Sequence, residues 1–216
     1  MRVYLDNCCY NRPFDDQSQI RVVLETLAKL NIQQQMRDGV LEYVWSSVLD
    51  FEISRSRFVD RALQIMPWAN GAVVNVAIND LIRCRAKEFE SAGLKPMDAL
   101  HIACAESAGC DWFFTTDRGI LKKAHITTEI RIANPMDFLE VMDMMLTDSE
   151  LKSKCFTILA EQVGNVEMER FIMLLNRDTF DYTEWRRNNL FQGESVDSLC
   201  DEIEVFQASR GRVATL

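Results

Sequence analysis

Apolar and polar positions along the first two thirds of the chain switch between two periods. Val3-Tyr4-Leu5 is a short apolar run that ends at Asp6, and it predicts a strand over residues 2–5. A loop rich in Pro and Asp follows, through Asn11, Pro13, Asp15 and Asp16. Ile20, Val23, Leu24, Leu27 and Leu30 then recur with a period near 3.6, which predicts a helix capped by Ser18 and stopped at Gly39. Residues 40–45 read as a strand. Ser47-Val48-Leu49-Asp50 fits a loose capping box, with Asp in place of Glu, at the start of the next helix. Helical sequence runs over 58–68, a short strand is predicted over 72–76, and a helix over 80–91 is stopped by Gly93. Pro96 suits the first position of a further helix that Gly109 closes. Residues 112–115 form an apolar strand just before Asp117. Residues 130–132 give a last strand, ahead of a helix led by Pro135 and running to 145.

Beyond residue 146 the period stays helical. Segments 148–163, 166–176, 183–189 and 195–207 predict helices, with stops at Gly164 and Gly193 and N-caps at Thr183 and Ser195. Strand–helix alternation followed by helices alone predicts two units. Residues 1–145 read as a three-layer α/β/α domain with a parallel sheet, and residues 146–216 as a small all-α domain. Parallel sheets of this kind bind ligands beyond the carboxyl ends of their strands, where Asp6 and Asp117 would project.

Length and charge sharpen this division. The 216 residues suit one medium domain plus a small one, and 48% hydrophobic residues are enough for a core without disulfides. The net charge is -9, with 24 Lys+Arg against 33 Asp+Glu. Residues 146–216 hold 8 basic against 13 acidic side chains, so more than half of the excess lies in the tail. This excludes a simple basic nucleic-acid-binding module, but not an enzyme that holds nucleic acid through metal ions. The seven cysteines, including adjacent Cys8 and Cys9, are odd in number and irregular in spacing. They predict free thiols in a reducing compartment, and no CxxC pair offers a structural zinc site. No signal peptide and no spanning apolar run is legible, so a cytoplasmic protein without membrane contact is expected.

Four acids stand out by position. Asp6 follows the first strand, Glu52 lies early in the helix after the second, Asp98 is in the first turn of the Pro96 helix, and Asp117 follows the 112–115 strand. Each alone has an ordinary explanation as a helix-dipole partner or a turn residue. Together at one sheet edge they would repel one another unless a cation sat among them, and oxygen ligands favour Mg²⁺ or Mn²⁺. Asp50 competes with Glu52 for the second position, but the capping box gives Asp50 a structural role. His101, one turn after Asp98, is expected to pack or to support the site rather than to react. His125 is expected in a solvated loop.

The segments Val3-Tyr4-Leu5-Asp6-Asn7, Ser46-Ser47-Val48-Leu49-Asp50-Phe51-Glu52-Ile53, Lys95-Pro96-Met97-Asp98-Ala99-Leu100-His101-Ile102-Ala103 and Phe114-Thr115-Thr116-Asp117 resemble a PIN domain in order and spacing. Asn134-Pro135-Met136-Asp137-Phe138-Leu139 is similar to that domain's usual end. The resemblance spans about residues 1–143. It implies a Mg²⁺/Mn²⁺-dependent endoribonuclease of the kind found as VapC-like toxins in type II toxin–antitoxin systems. It also implies a homodimer or higher oligomer acting on RNA. By that resemblance Asp6, Glu52, Asp98 and Asp117 are the metal-site acids. Asn7 matches a polar position beside the first, and Thr115 or Thr116 a hydroxyl position before the last. Arg55, Arg57 and Arg61, Arg83, Arg85 and Lys87, and Arg118, Lys122 and Lys123 either contact RNA phosphates or form solvated faces.

In the tail, Glu169-Arg170-Phe171-Ile172, Phe180-Asp181-Tyr182-Thr183-Glu184-Trp185-Arg186-Arg187 and Gly193-Glu194-Ser195-Val196-Asp197-Ser198-Leu199 resemble a small helical protein encoded beside PIN toxins as an antitoxin. Met144 or Met145 stands where such a partner would start, so the chain reads as toxin and antitoxin joined head to tail. Met142, Met144 and Met145 would pack between the two parts. An intramolecular or neighbouring-chain antitoxin-like segment would inhibit the nuclease by placing an arginine among the acids, with Arg186 and Arg187 first in line and Arg210 and Arg212 next. The plainer reading of Arg186 and Arg187 is exposed charge near a helix end.

Two other functions remain in view. One is a catalytically silent interaction or regulatory protein that keeps the fold. The other is a DNA-binding repressor built on the helix–Gly193–helix spacing, although Asp197, Asp201, Glu202 and Glu204 would repel DNA phosphates. A phosphatase of the haloacid dehalogenase type is set aside, because it needs an acid where Cys8 stands.

Overall fold

Five short strands build the sheet: β1 (Arg2–Leu5), β2 (Glu42–Ser46), β3 (Val74–Val76), β4 (Trp112–Phe114) and β5 (Arg131–Ala133). All neighbours are parallel, in the order β3-β2-β1-β4-β5. The structure is a computed structural model that describes residues 1–138, 148–175, 182–191 and 193–210. Consecutive residues of a strand point to opposite faces, and Val3, Tyr4 and Leu5 of the central strand are all buried. Both faces of the sheet are therefore covered, as a parallel sheet requires.

The helices are α1 (Asn7–Asn11), α2 (Ile20–Arg37), α3 (Ser47–Ser54), α4 (Val59–Ile65), α5 (Asp80–Ser91), α6 (Pro96–Ser107) and α7 (Arg118–Leu121). Beyond the sheet come α8 (Asp148–Val163), α9 (Asn165–Leu175), α10 (Tyr182–Asn189) and α11 (Val196–Arg210). The expected α/β fold with a parallel sheet followed by helices is what forms.

Several local expectations are corrected. The loop after Asp6 is instead helical, through α1 and a 3-10 turn over Arg12–Phe14. All five residues of α1 are buried, so the segment is too short and too uniform to show a helical period. Gln19, not Ser18, precedes α2, because the Ser18 hydroxyl donates to Asp16. Ser46 caps α3 by accepting the Leu49 N–H at 3.3 Å. With Ser46 as the cap, Leu49 rather than Asp50 stands three residues on, and Asp50 accepts the Trp45 indole N–H at 3.0 Å. Thr183 lies inside α10 rather than capping it. Ser195 does cap α11, accepting the Ser198 N–H at 3.2 Å. The helix expected from Pro135 is a 3-10 turn over Pro135–Phe138. Its remainder, with Met142, Met144, Met145 and the junction at 145, lies outside the described residues.

The last helix joins the core of the sheet domain. Val196, Leu199, Cys200 and Ile203 of α11 are fully buried, and α11 packs on α3, α5 and α6. Phe206 meets Phe51 edge-on at 5.6 Å. Acids of α11 pair with bases of the sheet domain: Arg83 with Asp201 at 2.8 Å and Glu204 at 2.9 Å, Lys87 with Asp197 at 2.7 Å, and Arg55 with Glu202 at 2.9 Å. Between α10 and α11 the chain turns through left-handed backbone at Phe191 (φ 55) and Gly193 (φ 76). Among the described residues no helix is long and apolar enough to cross a membrane.

Candidate metal centre

The strands deliver two acids and the helices two more. Asp6 leaves β1 in extended backbone and is fully buried. Glu52 sits in α3 and Asp98 in the first turn of α6, both buried. Asp117 follows β4, and its carboxylate accepts the Gly119 N–H at the start of α7. Asp98 and Asp117 line a common cavity with Arg186.

Arg186 of α10 enters this cluster. Its Nε meets Glu52 Oε1 in a short ion pair, its Nη2 donates to Asp98 Oδ1 at 3.0 Å, and its Nη1 lies 3.5 Å from Asp6 Oδ1. One guanidinium thus bridges three buried carboxylates, using the fixed fork of donors that arginine offers. Trp185, the preceding residue, meets the Phe58 ring edge-on at 5.5 Å and the Arg57 guanidinium at 5.1 Å. Phe191, just after α10, stacks on Phe51 at 5.8 Å. The side chains of Arg187 and Arg210, and residue Arg212, lie outside those described.

Each of two acids has one oxygen tied to the fold and one turned to the centre. Asp6 Oδ2 accepts from Thr115 Oγ1 at 2.8 Å and from the Cys8 thiol at 3.0 Å, which leaves Oδ1 to Arg186. Thr115 Oγ1 also accepts the Asp117 N–H at 3.0 Å and so links the two strand-end acids. Glu52 Oε2 lies 2.9 Å from His101 Nε2, and Oε1 faces Arg186. Of the two threonines expected near the last acid, Thr115 is the one bonded to Asp6. Thr116 Oγ1 is buried with no hydrogen-bond partner among the described residues. Asn7 Oδ1 accepts from Asn11 Nδ2 at 3.0 Å within α1. Asp50 is held by Trp45, so Glu52 is the α3 acid in the cluster.

The electrostatics show what such a cluster lacks. Burial pushes the Asp98 carboxyl up to about 6, Asp6 and Asp117 add to the rise, and Arg186 offsets only part of it. At Asp6 burial also acts upward, but Arg186 and the bonds from Cys8 and Thr115 help to bring the net shift below the usual carboxylate range. Like charges this close need a cation, and here the guanidinium stands in for one. The donor set is carboxylate oxygen, which suits a hard divalent ion of the Mg²⁺ or Mn²⁺ kind. Asp6, Glu52 and His101 each offer a ligand atom within 4.8 Å of one another. Both nitrogens of His101 are already engaged, Nδ1 with Tyr4 Oη at 2.7 Å and Nε2 with Glu52.

Cys8, Tyr4 and Ser46 were not singled out from the sequence as site residues. Cys8 stands two residues from Asp6, which is a readable cue. Tyr4 reads only as core, and the sequence places the helix cap at Ser47 rather than Ser46. The basic residues weighed as RNA contacts or solvated faces are mostly engaged within the chain: Arg55, Arg83 and Lys87 by α11, and Arg85 by Glu106 and Glu88. Arg61 stacks on Phe58 at 4.5 Å. Lys123 donates to the Gly93 carbonyl, and Arg118, Lys122 and His125 are solvent-facing.

No curated protein matches the chain. Among solved structures it is similar to a chain of VapBC2 from Rickettsia felis bound to a DNA fragment from their promoter, with a TM-score of 0.40 and 14% identity over 62% of this chain and 98% of that one. A profile of the PIN domain matches residues 18–126, which takes in Glu52, Asp98 and Asp117 and follows Asp6. Matched over half its length, the chain belongs to the PIN domain family.

Proposed function

We propose that this protein is a Mg²⁺- or Mn²⁺-dependent endoribonuclease of the toxin kind, cytoplasmic, and held silent by its own C-terminal antitoxin-like segment. Residues 1–145 are the nuclease unit in this reading and residues 146–216 the inhibitory one. The observation that carries it is the Arg186 guanidinium among Asp6, Glu52 and Asp98. A guanidinium placed there supplies the positive charge the acids need, and it occupies the space a substrate phosphate would need.

A divalent ion at this site would polarise the scissile phosphate and lower the pKa of an attacking water. The residues to hold it are Asp6, Asp98 and Asp117, with Glu52 completing the set or orienting the water. Thr115 and Cys8 fix the rotamer of Asp6. Asn7 supports the first turn of α1. Inhibition works at two places. Arg186 neutralises the acids, while Asp197, Asp201, Glu202 and Glu204 of α11 take up Arg83, Lys87 and Arg55, which would otherwise serve RNA phosphates. The same pairing engages the acidic face of α11 and counts against a DNA-binding role for that helix.

The test is RNA cleavage with Mn²⁺ by the full chain and by Arg186→Ala. The variant should cleave and the parent should be weak. Adding Asp98→Asn to Arg186→Ala should then lower cleavage by on the order of 10²–10³, the scale of losing one preorganised electrostatic group. An inert Arg186→Ala variant that stays folded would favour the silent regulatory reading instead.

A further inference from the structure

A line of buried hydrogen bonds runs behind the acids and closes on itself. Ser46 ends β2 and caps α3, and its Oγ accepts the Leu49 N–H. Ser46 Oγ lies 2.7 Å from Tyr4 Oη, Tyr4 Oη lies 2.7 Å from His101 Nδ1, and His101 Nε2 lies 2.9 Å from Glu52 Oε2. Glu52 belongs to the very helix that Ser46 caps. Ser46, Tyr4, His101 and Glu52 are each fully buried, so no water competes for these bonds.

The donors in this line can be ordered outward from Glu52. Glu52 carboxylate oxygens only accept, so Nε2 must carry a hydrogen. In a neutral imidazole Nδ1 is then an acceptor, and among the described residues the O–H that meets it is that of Tyr4. Tyr4 spends its single hydrogen on Nδ1, so its oxygen accepts from Ser46. Ser46 then donates to Tyr4, its oxygen accepts the backbone N–H of Leu49, and the Cys104 thiol is its third neighbour. Every group makes the bond its chemistry allows, and none faces a like partner. Burial also pushes the Tyr4 phenol well above its usual range, which keeps it a donor.

From this geometry we infer that His101 is a positioning residue, held as its Nε2–H tautomer by the donor line Ser46–Tyr4, and that it fixes Glu52 Oε2 so that Oε1 faces the metal centre. Its role parallels that of Thr115 and Cys8 at Asp6. The inference builds on the proposed nuclease reading for its purpose, but the tautomer is a property of the resting chain. Partners of this kind behind metal-binding carboxylates commonly change metal affinity or activity by 10–100-fold when removed.

Two-bond ¹H–¹⁵N correlation spectra of the full chain with ¹⁵N-labelled histidine read the tautomer directly. His101 is told from His125 by a His125→Gln control. The expected pattern is a protonated Nε2 and a bare Nδ1. An Nδ1–H tautomer or a doubly protonated ring overturns the inference. A second measurement uses Mn²⁺ affinity in full-length Arg186→Ala. His101→Gln keeps a donor near the Nε2 position and should retain most of the affinity, whereas His101→Asn, which falls short of Glu52, should lose roughly 10–100-fold. Equal losses in both variants would mean that His101 only packs, and would overturn the positioning role. If Arg186→Ala binds no Mn²⁺ at all, the nuclease reading fails, and the spectra alone decide the tautomer.

Discussion

Lys29 shows how a single buried group outside the acid cluster sets a measurable property. It is 4% exposed in α2, with its ammonium 5.8 Å from the Tyr10 ring centroid. Burial lowers its pKa to about 7. Unfolding returns the amine to water, where it takes up a proton, so the unfolded chain binds more protons above about pH 7. Stability therefore rises with pH from about 7 to 8.5, by up to about 1.4 kcal/mol per pH unit. Above that window the buried thiols act with the opposite sign, since Cys9 and Cys104 are pushed up by burial and would ionise on unfolding. Denaturant titrations at pH 7 and pH 8 should show the rise in the parent and a flat response in Lys29→Met. Arg186 gives a second prediction at this scale. Removing it takes the shared cation away from the buried carboxylates of Asp6, Glu52 and Asp98, which costs about 3–5 kcal/mol. Arg186→Ala should melt earlier than the parent in chelator and recover with Mn²⁺, because a ligand that binds only the folded state stabilises it. Unchanged melting in chelator would show that the guanidinium does not hold the acids in solution. Acid positions along strand ends and helix starts were readable from the sequence. Of the partners behind them only Cys8, two residues from Asp6, leaves a local cue; Tyr4, Ser46 and His101 are brought together by β1–β2 pairing and by α6.

Elements of the tail divide the work. α11 anchors through apolar burial, and α10 delivers one arginine. The anchor rests on Val196, Leu199, Cys200 and Ile203 more than on its ion pairs. The acids that meet Arg83 are half-exposed or more, and such pairs contribute about 0–1 kcal/mol each. Leu199→Ala removes a fully buried side chain and should cost about 2–5 kcal/mol. Arg83→Ala should change stability far less. Limited proteolysis between α9 and α11 reads the difference: Leu199→Ala should be cut faster and Arg83→Ala should stay close to the parent. Equal protection in both would place the anchor elsewhere. Caps were the least legible part of the elements. Ser18 and Ser46 have similar local sequence credentials, yet only Ser46 caps, because the Ser18 hydroxyl is taken by Asp16.

At the scale of the whole molecule, the charge asymmetry acquires a location. Part of the acidic excess of the tail faces bases of the sheet domain: Asp197, Asp201, Glu202 and Glu204 lie against Arg83, Lys87 and Arg55. A chain ended after Phe138 would uncover the apolar surface of α3, α5 and α6 that α11 fills, and it is expected to self-associate or precipitate. Sedimentation of that truncated chain against the full one checks this, and a stable soluble monomer would count against it. Arg186→Ala is for the same reason a cleaner probe of inhibition than truncation. Alternation of apolar periods sufficed to specify a parallel α/β sheet and trailing helices, since a buried strand and an amphipathic helix leave different local patterns. The order of acids along the chain was likewise a local record. Which oxygen of Glu52 turns inward, which of two neighbouring threonines bonds Asp6, and which arginine reaches the acids depend on residues 49 to 180 positions apart in sequence. Only the folded chain brings such residues within bonding distance, so only the tertiary structure could decide them.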